Sequence, residues 1–136
     1  EEHINKNADI SIATLPVNAK DAPEFGILKT NSENEIISFI EKPNASLLPE
    51  WESEVSDQMK NEGKNYLASM GIYVFNKDFL VDVMNNPETK DFGKEIIPQA
   101  LGNKKMLSYQ YEGYWTDIGN IDSFFEAILL LDKWFI

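Results

Sequence analysis

The chain contains no cysteine. That excludes a disulfide framework and any thiolate metal site, and it is compatible with a cytoplasmic location. The single histidine, His3, lies near one end with no second imidazole to build a metal cluster, and it reads as a solvated terminal residue. No nucleophile elbow, His–Glu helix pair or serine–histidine constellation is present. The seven glycines are scattered and form no glycine-rich phosphate loop, so the sequence shows no complete nucleotide site. Positive charge is scarce: 12 Lys and Arg stand against 23 Asp and Glu, a net charge of −11. Nucleic acid is thereby disfavoured as a partner, because its backbone demands a basic field. A small phosphorylated ligand needs only one or two local cations and is not excluded. No apolar run approaches the roughly 20 residues that span a bilayer, so no membrane partner is expected. The opening Glu1-Glu2-His3-Ile4 is neither a signal nor a transit peptide, and without an initiator methionine it reads as part of a longer chain.

What is there suits one globular domain over residues 1–136. Hydrophobic residues make up 43% of the chain, enough for a core and too many for a disordered tail. Residues 1–7 read as the end of a helix stopped at Asn7, and the β-branched run 10–17 as a buried strand. After a polar loop over 18–24, residues 25–30 and 35–41 read as a hairpin turning at 31–34. In the polar stretch 45–65, Trp51, Val55 and Met59 recur every four residues, which predicts a surface helix with one apolar edge. Residues 67–75 are almost wholly apolar, as in a central strand covered on both faces.

Helical spacing returns at 77–85, and a short helix, shortened or kinked at Pro98, is expected over 91–101. Residues 105–111 alternate as a half-buried strand. Residues 121–135 form an amphipathic helix, with Ile121, Phe124, Phe125, Ile128, Leu131 and Phe135 on one face and Asn120 as its N-cap. Interleaved strands and helices predict an α/β fold with a mixed sheet. The sheet is expected to have an exposed edge that invites self-association.

Three segments set polar groups at the ends of apolar strands, where ligands bind in open α/β sheets. Phe39-Ile40-Glu41-Lys42-Pro43 ends a strand in a carboxylate and an ammonium before a proline stop. Lys42 is a mobile point charge suited to phosphate, and Glu41 can accept sugar hydroxyl protons. The same three residues also make an ordinary strand-to-turn transition. In Ala68-Ser69-Met70-Gly71-Ile72-Tyr73-Val74-Phe75, Ser69 and Gly71 are unusual for a core strand. They signal either close approach of a ligand or a bulge. In Tyr114-Trp115-Thr116-Asp117-Ile118-Gly119, Asp117 either helps cap the following helix or supplies one oxygen ligand to a hard cation.

Taken together with Asp91-Phe92-Gly93-Lys94-Glu95-Ile96-Ile97-Pro98, these segments resemble the nucleotidyltransferases that activate sugar 1-phosphates. The Trp-x-Asp-Ile-Gly and Glu-Lys-Pro segments look like those of the superfamily at large. The segments containing Ser69 and Asp91 are similar to those of the glucose-1-phosphate adenylyltransferase family. The resemblance implies a partial Rossmann-like nucleotide-diphospho-sugar transferase fold, of which this chain is the sugar-phosphate-binding half. It implies glucose 1-phosphate as substrate and, in the intact enzyme, ATP, Mg2+ and a homo-oligomer. Gly26, Glu41, Lys42 and Ser69 match family positions that contact glucose 1-phosphate. Asp117 matches the metal-binding aspartate, whose partner carboxylate would lie upstream of Glu1. Lys42 and Asp117 would carry the catalysis. The alternatives are a related enzyme for UDP- or dTDP-glucose and a non-catalytic regulatory paralogue.

Overall fold

The structure, a computed structural model, describes residues 1–135 and their side chains apart from those of Phe92 and Phe135. Five strands, β1 (Ile10–Val17), β2 (Gly26–Thr30), β3 (Ile36–Glu41), β4 (Tyr66–Phe75) and β5 (Met106–Gln110), form one sheet in the order β3-β2-β4-β1-β5. β5 runs parallel to β1, and the other pairings are antiparallel. The helices are α1 (Glu2–Asn5), α2 (Asp57–Asn61), α3 (Lys77–Met84), α4 (Ile97–Ala100) and α5 (Ile121–Phe135). An α/β chain with a mixed sheet is thus what forms. Among the described residues no helix is long and apolar enough to cross a membrane.

The β2–β3 hairpin closes through the chemistry of its turn. Asn31 Oδ1 accepts the N–H of Glu33 and of Glu35 at 3.0 Å each, and Asn34 takes a left-handed φ of 61°. Side chains alternate across the sheet, so adjacent residues join different cores. Ile10, Ile12, Leu28 and Leu67 pack with Val55, Met59, Ile96 and Ile97 in one cluster. Ile27 and Ala68, each one position away, pack in the other with Ala22, Leu48 and Tyr66. One buried polar pair, Thr14 Oγ1 and Ser108 Oγ at 2.7 Å, ties β1 to β5.

Four expectations are corrected. Residues 45–65 do not form one helix. Ala45–Trp51 is a 3-10 turn containing Pro49, and only α2 is α-helical, its N-cap Ser56 accepting the N–H of Met59. Val55 and Met59 are still buried, because Ser53 between the two turns is tied to the sheet. Its N–H donates to the Asn65 carbonyl and its Oγ to the Leu28 carbonyl, while Oγ accepts the N–H of Thr30.

The strand β4 is covered on both faces only in its first half. Ile72 and Val74 are each 52% exposed, and with Tyr109 they form an open apolar face. Over 91–101 the irregularity precedes Pro98 as a π-helical turn, Phe92–Ile96. Pro98 itself sits in the first turn of α4, where a missing N–H leaves no helical bond unmade. His3 is pinned rather than solvated: Nδ1 lies 2.7 Å from Ser11 Oγ and Nε2 3.0 Å from Asn76 Oδ1.

The last helix forms where predicted, and Asn120 Oδ1 accepts the N–H of Ser123 at 2.8 Å as its N-cap. Its apolar face stays open, with Ile121 85% and Phe125 59% exposed.

Candidate sugar-phosphate site

Strand register brings distant residues level with one another. Gly26 of β2 pairs with Glu41 of β3. On its other side Ile27 pairs with Ala68, which sets Ser69 beside Gly26. A row therefore runs Glu41, Gly26, Ser69 across three adjacent strands. Beyond Ser69 the strand β4 departs from its neighbours. Ser69 pairs with Thr14 and Tyr73 with Ile12, so residues 70–72 face Ala13 alone. Gly71 occupies this bulge at φ 70°, and a Cβ added there would meet nothing within 4 Å. Backbone conformation, not crowding, is what calls for glycine here. The bulge reading of the Ser69–Gly71 segment therefore holds, and the bulge borders a cavity.

That cavity, about 360 Å³, is lined by Gly26, Glu41, Lys42, Ser69 and Asp117, all five residues singled out in the sequence. Only Glu41 ends a strand in the expected sense. Ser69 lies within β4, and Gly26 begins β2, because the antiparallel pairing reverses that strand. Phe25, Phe39, Tyr73 and Trp115 supply aromatic surface to the same wall. The small residues Gly71 and Gly93 leave room between them.

Lys42 is exposed at a left-handed φ of 46°, and its N–H donates to the Phe25 carbonyl at 3.0 Å. Among the described residues lining the cavity it is the cation, facing three carboxylates, Glu24, Glu41 and Asp117. Among the described residues it makes no ion pair. Asp117 is exposed, and its Oδ1 accepts the N–H of Gly119 at 2.9 Å, which fixes the carboxylate at the cavity rim. Asn120, not Asp117, caps α5.

Tyr73 was not singled out in the sequence. Burial pushes its phenol above the ordinary range; the hydrogen bond with Ser69 works the other way, and the Asp91 and Glu41 carboxylates add to the rise. At neutral pH it is therefore a neutral hydroxyl beside Ser69 and Glu41. Asp91 was noted only as part of a motif. Its Oδ1 accepts the N–H of Lys94 at 2.9 Å, while Glu95 Oε2 accepts the N–H of Asp91 at 3.2 Å, which holds the π-helical turn against the cavity. Nothing in the local sequence marks Tyr73, because strand alternation and the bulge decide where it points.

Gly26 is the tightest point. A Cβ there would sit 2.8 Å from Phe39 Cε2 and 2.9 Å from Glu41 Oε2. Gly26→Ala should move the Glu41 carboxylate and cost about 1–3 kcal/mol by overpacking. Urea unfolding and an NMR map of the Glu41 environment would check this. An unchanged midpoint with an unmoved Glu41 would show that the position is not crowded.

A lone carboxylate can supply only part of a cation site. Magnesium commonly takes one or two carboxylates and completes its shell with phosphate oxygens and water. Asp117, exposed and oxygen-donating, fits that part. Among the described residues no group of three or more Asp, Glu, His or Cys gathers to hold a metal alone. Over residues 1–133 the sequence matches the family model described as nucleotidyl transferase, and the chain belongs to that family.

Proposed function

We propose that the cavity binds glucose 1-phosphate and that the chain is the sugar-phosphate half of a glucose-1-phosphate adenylyltransferase. The observation that carries this reading is the convergence of Gly26, Glu41, Lys42, Ser69 and Asp117, spread along the chain, on one cavity. Its chemistry suits the ligand. Glu41 and Ser69 offer an acceptor and a hydroxyl to sugar hydroxyls, the aromatic walls offer apolar faces, and Lys42 offers an ammonium to the phosphate.

In the reaction, a phosphate oxygen of glucose 1-phosphate attacks the α-phosphorus of ATP. The bond from that phosphorus to the β-phosphate bridging oxygen breaks, giving ADP-glucose and pyrophosphate. No covalent enzyme intermediate is needed, so positioning and charge neutralisation carry most of the catalysis. Glu41, Ser69 and the Gly26 backbone orient the sugar, and Lys42 holds the attacking phosphate. Asp117 would be one ligand of magnesium, which when bound neutralises charge between the two phosphates. These 136 residues contain no glycine-rich phosphate loop.

A pyrophosphate-release assay on the protein encoded by the complete gene tests the reading, with ATP, UTP and dTTP each offered several sugar 1-phosphates. Release with ATP and glucose 1-phosphate is expected to exceed the other pairs. Preference for UTP or dTTP would reassign the base. Absence of release from every pair would make the chain a non-catalytic member of its family.

A further inference from the structure

Phe25 touches both sides of the cavity through different parts of itself. Its carbonyl accepts the N–H of Lys42 at 3.0 Å. That bond helps hold Lys42 left-handed at φ 46°, a conformation uncommon for a residue with a Cβ. It is also set directly before Pro43, whose ring restricts the preceding backbone further. The Phe25 ring, meanwhile, packs on Trp115 with centroids 6.2 Å apart and planes tilted by 53°. Trp115 stands two residues before Asp117, whose loop is otherwise braced by the Gly119 N–H. Phe25 is itself anchored where its N–H closes the 3-10 turn Ala22–Glu24 on the Ala22 carbonyl at 3.1 Å.

Both charged groups thus hang from loops that line one cavity, and Phe25 is bonded to one loop and packed on the other. Without its ring, the Lys42 turn keeps its backbone bond, but the Asp117 loop loses an aromatic contact that ties it to that turn.

We propose that Phe25 is a positioning residue that braces the Lys42 turn against the Asp117 loop, so that the ammonium and the carboxylate-bound cation act on the same phosphate. This rests on the sugar-phosphate reading of the cavity. The brace takes no part in the chemistry. Its signature is coupling: magnesium should strengthen sugar-phosphate binding only while the two loops are held together.

Calorimetric titration of glucose 1-phosphate into the protein encoded by the complete gene, with and without saturating magnesium, reads that coupling directly. In the wild type, magnesium is expected to tighten binding about fivefold. Phe25→Ala should reduce that factor to about one, whatever metal-free affinity is left once its ring is gone from the cavity wall, and Phe25→Tyr, which keeps the ring, should restore it. Phe25→Leu keeps the apolar volume without the ring; it should also lose the enhancement, and it serves as the test if the alanine variant does not fold. An enhancement factor equal in the wild type, Phe25→Ala and Phe25→Leu overturns the brace while leaving the sugar-phosphate reading intact. So does a loss of affinity that is the same with and without magnesium. Failure of the wild type to bind glucose 1-phosphate at all would overturn the reading of the cavity, and the brace with it.

Discussion

Lys42→Ala is expected to raise the Michaelis constant for glucose 1-phosphate by roughly 10- to 100-fold, from the ~1.5–3 kcal/mol of a hydrogen bond to a charged group. The reason lies in the charge balance of the cavity. Three carboxylates face it and one ammonium answers them, so a phosphate has little else on this wall to attract it. Among the described residues Lys42 also makes no ion pair, so its charge is not already spent on a neighbouring carboxylate. Turnover at saturating sugar phosphate should fall much less. Lys42→Arg keeps the charge and separates electrostatics from the effect of disturbing a left-handed turn. It should recover most of the lost affinity. A Michaelis constant that barely changes in the alanine variant would remove Lys42 from the phosphate site.

The second large effect belongs to turnover. Asp117→Asn is nearly isosteric, and the amide oxygen can still accept the Gly119 N–H that sets the loop. What it loses is the negative charge that would hold a hard cation. The turnover number is therefore expected to drop on the order of a hundredfold, the scale seen when one preorganised electrostatic contact is removed from a transition state. Affinity for glucose 1-phosphate measured without magnesium should stay close to that of the parent. Near-normal turnover at saturating magnesium would sink the metal assignment. The two variants act on different constants, so measuring both on one preparation separates phosphate binding from cation-assisted catalysis.

Local pattern was a good guide wherever local chemistry decides conformation. The Asn31–Asn34 turn and the Asn120 cap could be read directly, because an Asx side chain bonds backbone groups two or three residues away. The apolar runs marked all five strands to within a residue or so. Pattern failed where two periodicities overlapped. The spacing of Trp51, Val55 and Met59 mimics a helix, yet Pro49 and the sheet-bound Ser53 impose two short turns joined by extended chain. Val55 and Met59 reach the core by that route instead. In β4 the apolar run promised burial on both faces, but Ile72 in the bulge and Val74 beyond it are each left about half exposed.

The sequence by itself determined the elements, the α/β class, the acidic character, and the residue types at Gly26, Glu41, Lys42, Ser69 and Asp117. Those follow from side-chain chemistry and short-range periodicity, which a linear chain carries in full. Tertiary structure alone decided that these five share a cavity. Residues far apart in sequence become neighbours only through antiparallel register, which sets Gly26 between Glu41 and Ser69. The bulge at Gly71 then opens that row into a cavity, whose lining also includes the Phe25–Trp115 contact. Register and bulges depend on how strands meet in space, a property of pairs of segments that no single segment encodes.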